Sequence, residues 1–576
     1  MEETNRINGK RLGLRFLLIG VVCFAALFNL KTSPFRYIVP SVPFSECLGN
    51  QQTNDTYIYL YTGGLIPKGL MPYRDFFDHK GPLFYLFVAL GIRLGRMAGV
   101  WLVETLFLFS SAFFAYKTAR LLTGRAASVL AASLAVLWYS LGQMSPDTLV
   151  IPFILAGLYS FVRYVLNGGT IGRAETLAVG ASFASVFLMK MNLISLWLVY
   201  AAVVIVSSLA GKKYVFLLER TALFLLGAAL VALPVLAWLG SKGTIGDFVR
   251  VYLKFNLVDY GDRPPLGNSL LYFIPVIFRQ TPQAVRYWAF YFCYNLPALL
   301  VYLFIFLYEK DRARKVIFAS LTAILLLSIH FIGAKGFHFI YYCYPMTADY
   351  LIFFAVAFEF ILRLAARRRI AAAALFFLLV MPALRAAVIP PMDDCLTRRR
   401  ILRADPTADL SSLGRPIRFD RAALDLAHYL REKTPPDARI NGVGCAVYWY
   451  ADRVCMCPHL YEEGEKVRFR ELPPLSRFQP MTLLPAQRSY KLTFWEDALG
   501  NPPEYIFEQR HRNVRLGKER FKPEDPRHVI ETSPEIEARL AADYELAYRN
   551  EQYDLYRLRA GRGREAPSEK REEGEE

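Results

Sequence analysis

Several stretches of this sequence gather groups able to move protons and neutralise a phosphate. In the longest, Asn54-Asp55-Thr56 leads into the aromatic and glycine run Tyr57 to Gly64, and Tyr73, Arg74, Asp75, Asp78, His79 and Lys80 follow. A base, an acid and cations thus lie in one segment, the kit for handling a phosphate leaving group. Asp55 has a plainer reading as well: Asn54 or Asp55 caps a short amphipathic helix in which Tyr57, Leu60, Tyr61 and Gly64 recur with roughly helical spacing. Asp147, in Ser145-Pro146-Asp147-Thr148, either N-caps the helix that follows or does chemistry, and one Asp can do both. Lys190, in Phe187-Leu188-Met189-Lys190-Met191-Asn192, either snorkels to an interface or meets an anion. Gly333-Ala334-Lys335-Gly336-Phe337-His338 forms a further basic turn, and His330 reads as a hydrogen-bonded core residue.

The elements that must position these groups are membrane helices. The 576 residues are 54% hydrophobic, 15% aromatic and 20% charged, with mean hydropathy +0.25. Residues 1 to about 390 consist mostly of apolar runs near the ~20 residues that a bilayer core of ~30 Å requires. A soluble enzyme is excluded, and so is disorder through most of the chain. The net charge of +18 and pI near 9.4 read as Lys and Arg held in cytoplasmic loops, with no nucleic-acid partner implied. No P-loop or dinucleotide fingerprint occurs, which argues against an ATP-driven pump.

Eleven spans are expected: Leu14 to Leu30, Val100 to Leu122, Ala126 to Gln143, Thr148 to Leu166, Ala174 to Met189, Asn192 to Ala210, Arg220 to Gly240, Trp288 to Tyr308, Lys315 to Gly333, Phe339 to Leu362 and Ile370 to Ile389. The run Leu83 to Ile92 is too short for a comfortable span and reads as an interfacial or re-entrant helix. That choice places Lys117, Arg120 and Arg125, Arg163 and Arg173, Lys212 and Lys213, Lys310 to Lys315 and Arg363 to Arg369 in the cytoplasm. With the N-terminus inside, an odd count puts residues 391–576 outside. The first outer loop is then 31–99, and Met144 to Asp147, Lys190-Met191, Ser241 to Arg286 and Ala334 to His338 are the other outer connections. The Ser241 to Arg286 loop, long, basic and aromatic, reads as a lid or acceptor groove, or as packing under the C-terminal domain.

Residues 391–418 mix Pro, Asp and Arg as a linker. In 419–560, helical periodicity over Phe419 to Lys433 and strand-like runs at Arg439 to Val443, Pro503 to Phe507 and Tyr553 to Leu558 predict a small extracytoplasmic α/β domain for substrate binding or scaffolding. Residues 561–576 are charged and expected to be disordered. Cys395, Cys445, Cys455 and Cys457 fall in this outer region, where disulfides form; Cys455-x-Cys457-x-His459 does not have zinc-knuckle spacing.

Asp55 with its Tyr/Gly segment, then Gly69-x-x-Pro72-Tyr73-Arg74-Asp75 and Asp78-His79-Lys80-Gly81-Pro82-Leu83, resembles the first outer loop of the GT-C class of membrane glycosyltransferases. Within that class it is similar to the bacterial group of protein mannosyltransferases, aminoarabinose transferases and lipopolysaccharide galacturonosyltransferases. The resemblance covers roughly the membrane half. It implies juxtamembrane helices in this loop, an extracytoplasmic C-terminal domain, and transfer of a sugar from a polyprenyl-phosphate donor to a lipid, glycan or protein acceptor on the outer face of the cytoplasmic membrane, with inversion. Asp55 matches the family's essential first-loop acid, taken as the base on the acceptor or as a metal ligand. Asp147 matches the acid of the second outer loop. Lys80, or its neighbour His79, matches the group that contacts the donor phosphate, with Lys190, Lys335 and His338 as further cations. The sequence departs from the family where sister groups have Lys-Pro-Pro-Leu or His-Pro-Pro-Leu, and it lacks an Asp-Glu pair near Asp55. Metal use is open at this point: Asp55 and Asp147 share a divalent ion or act without one. Rival readings are a lipid-linked sugar transporter or flippase, which predicts ionisable groups near the bilayer midplane, and a non-catalytic membrane scaffold.

Overall fold

The computed structural model of the chain describes residues 27, 30, 54–76, 78–141, 144–259, 294–333, 344–381, 421–442, 445–454, 502–509, 534–550 and 553–559. The first expected span, the Lys335 and His338 turn, the 391–418 linker, Cys395, Cys455 and Cys457, and the charged tail lie outside these residues. Contacts divide the chain into two units, one of residues 1–51, 80–252 and 260–417, the other of 52–79, 253–259 and 418–576.

The first unit is helical wherever it is described. A short helix α2 (Pro82–Gly95) turns at Arg96 into α3 (Met97–Leu122), followed by α4 (Arg125–Leu141), a one-turn helix α5 (Pro146–Leu149), α6 (Ile151–Leu166), α7 (Arg173–Phe187), α8 (Ser195–Ala210) and α9 (Tyr214–Ser241). After a π-helix at Phe248–Asp259 come α10 (Leu296–Tyr308), α11 (Arg312–Gly333), α12 (Thr347–Ala365) and α13 (Arg369–Met381). Four of these stretches are long and apolar enough to cross a membrane: α3, the run Pro146–Leu166, α9 and the run Arg312–Ile332. The 28 residues of α9 span roughly 42 Å at the helical rise, whereas the 14 of α2 reach only about 21 Å, short of a bilayer core. The described helices fall on ten of the eleven intervals read as spans, and α2 falls on the interval read as interfacial.

Apolar side chains on the outside of this unit identify its solvent. Leu218, Leu225, Leu230 and Leu233 of α9 and Leu300, Phe304 and Leu307 of α10 are all exposed, a surface that water would reject and lipid accepts. Between helices the chain uses small residues. A Cβ on Gly180 of α7 would lie 2.0 Å from the Phe224 carbonyl oxygen of α9, and one on Gly227 of α9 would lie 2.1 Å from the Leu177 oxygen. Two reciprocal glycines thus set the approach of these helices, where lipid offers no hydrophobic drive for association.

The second unit contains a four-stranded sheet, order β1-β2-β4-β3, built from β1 (Ile440–Gly442), β2 (Tyr505–Gln509), β3 (Tyr544–Arg549) and β4 (Tyr553–Leu558). β1 and β2 are parallel and the other pairs antiparallel. Helices α14 (Arg421–Lys433), α15 (Cys445–Ala451) and α16 (Pro534–Asp543) complete the described C-terminal part. Ile440, Ile506, Phe507 and Leu555 from the strands and Leu426, Ala427 and Leu430 from α14 are buried. The buried Arg453 guanidinium ties this core together, donating to the carbonyls of Leu430, Arg431, Thr434 and Ala451. It thereby satisfies the open end of α14, where carbonyls lack partners within the helix.

Helix α1 (Asn54–Leu65) also belongs to this second unit and packs on α15, with Tyr61 and Tyr448 rings 5.6 Å apart. Its expected amphipathic, interface-lying character is not what the structure gives. Ile58, Tyr59, Leu60, Tyr61, Thr62 and Leu65 are all buried, so the helix is sheathed by protein on most of its circumference. Tyrosine and threonine allow this, because the Thr62 hydroxyl donates to the Ile58 carbonyl at 2.8 Å within the helix. Asn54 and Asp55 are its first two helical residues, inside the helix and not before it.

Candidate active site

Three short non-helical or weakly helical turns of the first unit hold the candidate site residues Lys80, Lys190 and Asp147. The first is the Lys80-Gly81 bend that starts α2. The Gly81 amide donates to the Met189 carbonyl at 3.1 Å and the Leu83 amide to the Leu188 carbonyl at 3.2 Å. This contact is so close that a Cβ on Gly81 would sit 1.9 Å from the Leu188 oxygen. Only glycine fits, and Lys80 is thereby fixed one residue from the backbone that leads into Lys190.

The second turn carries Lys190 itself. Its backbone is extended, φ −157° and ψ 94°, between the end of α7 and a 3-10 turn at Met191–Leu193. The third is α5, which holds Asp147 after Pro146 at the first helical position, a placement that suits proline's fixed φ. The Lys190 ammonium donates to Asp147 Oδ1 in an ion pair whose side chains are 11% and 1% exposed. Both plainer readings of these residues are thereby displaced: Asp147 lies within the helical turn and engages a lysine, and Lys190 points into the protein. Asp147 Oδ2 has no hydrogen-bond partner among the described residues. A carboxylate this buried is tolerable only with a counter-charge, and Lys190 supplies it.

Tyr252 of the π-helix closes the other side of the Lys190 turn. Its hydroxyl donates to the Phe187 carbonyl at the end of α7, and burial pushes its phenol well above the ordinary range, against a lowering by a backbone contact with Met191. The side chain therefore stays neutral and available as a donor. Tyr252 lies in a π-helical segment, a geometry that recurs at functional sites.

In the second unit, the residues before Lys80 form a compact turn. Tyr73 has φ +72°, and its amide donates to the Phe76 carbonyl at 2.9 Å. Asp75 organises the turn: Oδ2 accepts from the Met71 amide at 2.7 Å, and the Arg74 guanidinium grips both carboxylate oxygens at 2.9 and 2.7 Å. Arg74 and Asp75 are thus each other's partners. Asp78 is fully buried, its Oδ1 3.8 Å from His79 Nδ1, and the His79 carbonyl accepts from Asn256 Nδ2 at 2.7 Å. The His79 ring stands edge-on to Phe255 at 5.8 Å. Asp55 sits in the first turn of α1.

Asp147, Lys190 and Lys80 are accordingly gathered within one unit, whereas Asp55, Tyr73, Arg74, Asp75, Asp78 and His79 belong to the other. Lys335 and His338 lie outside the described residues. Asn256 was invisible as a site residue in sequence, and Tyr252 was read only as part of the aromatic Ser241 to Arg286 loop, since such a position carries no signal of which carbonyl it will reach. Glu104 and Asp349, acidic residues inside apolar runs and both buried, were visible there but unplaced. Among the described residues no group of three or more His, Cys, Asp or Glu could hold a metal ion.

A family model described as the competence-induced protein Ccs4 N-terminal domain matches residues 27–276, under half of the chain. No curated protein sequence matches. Among solved structures, the chain is similar to ArnT from Cupriavidus metallidurans bound to undecaprenyl phosphate, with a TM-score of 0.54 and 14% identity over 95% of this chain and 98% of that one. The apo state of the same protein gives a TM-score of 0.52 at 14% identity over the same shares. A weaker likeness, TM-score 0.46 and 13% identity over 86% of this chain and 69% of that one, is to the oligosaccharyltransferase AglB from Archaeoglobus fulgidus in complex with an inhibitory peptide and a dolichol-phosphate. ArnT is an aminoarabinose transferase of the GT-C class. The fold of this chain is therefore the one seen in ArnT, and with its long apolar helices the chain is a membrane protein.

Proposed function

We propose that this protein is an integral-membrane glycosyltransferase that moves a sugar from a polyprenyl-phosphate donor to an acceptor on the outer face of the cytoplasmic membrane, with its C-terminal part outside. The observation that carries the reading is the buried Asp147–Lys190 pair beside the glycine-fixed Lys80 bend, two lysines on two backbone-bonded turns of a GT-C-like fold. A phosphate leaving group needs such cations in a site of low dielectric, where each is worth far more than in water. The ArnT neighbour, solved with undecaprenyl phosphate bound, supports a donor of that chemical class.

In the reaction, an acceptor hydroxyl attacks the anomeric carbon as a carboxylate takes its proton, and the bond from that carbon to the phosphate oxygen breaks with its electron pair left on the phosphate. Polyprenyl phosphate departs, and a single displacement inverts the anomeric centre. Asp55 is the proposed base, on the strength of the first-loop resemblance. Lys80 and Lys190 receive the negative charge that develops on the phosphate, and Asp147 aims Lys190 through Oδ1. Its Oδ2 is the oxygen available to a divalent cation, and sensitivity of the purified protein to chelators decides whether one takes part. A flippase is disfavoured by the placement of these groups on turns between helices.

The test is release of polyprenyl phosphate from a panel of polyprenyl-phosphate sugars by reconstituted protein supplied with envelope acceptors. Turnover of one donor by the wild type, lost in Lys80→Met and Lys190→Met variants of unchanged fold, supports the assignment. Absence of turnover with every donor counts against it.

A further inference from the structure

Asp349, in the first turn of α12, is 7% exposed in an interval read as a span. A carboxylate inside a membrane helix is costly and calls for a use. The groups around it form a chain. The Ser328 hydroxyl of α11 lies beside the Asp349 carboxyl, and Ser328 Oγ is 2.6 Å from Ser195 Oγ, both serines being buried. A carboxyl oxygen can accept from a hydroxyl whether or not the group is ionised. With the Ser328 hydroxyl donating to that carboxyl, its oxygen is left to accept from Ser195. Ser195 is the first residue of α8, one residue beyond the 3-10 turn that follows Lys190. That turn touches α11 a second time through Asn192 Nδ2, 3.4 Å from the Phe331 carbonyl, and closes on Lys190 through the Leu193 amide at 3.2 Å.

Lys190 thus sits at a break between two helical segments, with a brace on each flank. The upstream brace is the pair of contacts from Gly81 and Tyr252 to the end of α7. The downstream brace is α11, and its serine pair terminates on Asp349. We infer that Asp349 is a positioning residue that acts through Ser328 and Ser195 to hold the Lys190 turn, and with it the ammonium that faces the donor phosphate. The inference rests on the proposed polyprenyl-phosphate site. It gives the buried carboxylate a use that needs no contact with substrate.

The test measures undecaprenyl phosphate binding to the full chain in lipid nanodiscs, with thermal unfolding of each variant alongside. Asp349→Ala is expected to weaken binding about tenfold, the effect of losing one buried acceptor, whereas Asp349→Asn, whose amide oxygen still accepts from Ser328, retains binding within about threefold. Ser195→Ala, a small change at the other end of the chain, reproduces the Asp349→Ala loss if that variant folds poorly. The double variant Asp349→Ala/Lys190→Met binds no more weakly than Lys190→Met, because the acid acts through the lysine. Wild-type affinity in both Asp349→Ala and Ser195→Ala, lowered thermal stability without a change in affinity, or multiplying losses in the double variant overturns the inference. If the wild type binds and Lys190→Met does not, such results remove this inference alone; if the wild type itself does not bind, the site reading falls and this inference with it.

Discussion

Removal of Lys190 separates stability from activity. Asp147 is 1% exposed and accepts from Lys190 through one oxygen, with the other unpartnered among the described residues. Lys190→Met leaves that carboxylate buried without its cation, a loss of about 3–5 kcal/mol for breaking a buried pair from one side. Asp147→Leu strands the ammonium in the same way. The double variant Asp147→Leu/Lys190→Met removes both desolvated charges and is expected to regain wild-type stability or exceed it by up to about 4 kcal/mol, as apolar replacements of buried pairs often do. Activity follows another rule. Without a cation facing the departing phosphate, turnover falls by roughly 10²–10³ in each variant that lacks Lys190, the double included, on the scale of a lost transition-state contact. The assays are thermal unfolding in nanodiscs and polyprenyl phosphate release on the same samples. A double variant that recovers turnover together with stability refutes the reasoning, since the pair would then be a structural tie and nothing more.

Three further outcomes follow from the geometry. Gly81→Ala is expected to abolish donor turnover, because its Cβ would meet the Leu188 oxygen at 1.9 Å, whereas Gly69→Ala, at φ +87° with open space around it, costs only about 1–2 kcal/mol of stability; turnover and unfolding of the two variants are compared directly. Tyr252→Phe removes one hydroxyl from the Phe187 carbonyl and should lower apparent donor affinity several-fold while costing about 1 kcal/mol of stability, seen as a raised KM for the donor. Arg453→Lys cannot serve four carbonyls at once, and the C-terminal part should lose about 1.5–3 kcal/mol, read by urea unfolding with the sheet's circular dichroism as the signal.

Much of the helical frame was legible because apolar runs between charges have one physical explanation. The described helices fall on the intervals from Val100 to Ile389, and the ten-residue run Leu83 to Ile92 became a helix of 14 residues too short to span. Asp147 and Lys190 were legible only as candidates. Each is a lone charge between apolar runs, but their pairing joins positions 43 apart, a separation no local pattern encodes. Gly81 shows the same limit, since the sequence marks a glycine before a proline without revealing that the Leu188 carbonyl, just past α7, lies where its side chain would be. The character of α1 was misjudged for a different reason. Tyrosine and threonine look like interface residues, yet a threonine that bonds its own helix backbone buries as readily as an apolar one.

The most direct measurement follows a labelled sugar from its polyprenyl-phosphate donor into acceptor, with wild-type and Asp55→Asn proteins reconstituted side by side at equal thermal stability. The account predicts label in the acceptor with inverted anomeric configuration, accompanied by equimolar polyprenyl phosphate, for the wild type and not for Asp55→Asn. Equal transfer by both proteins, or donor that crosses the bilayer with its sugar still attached, contradicts it.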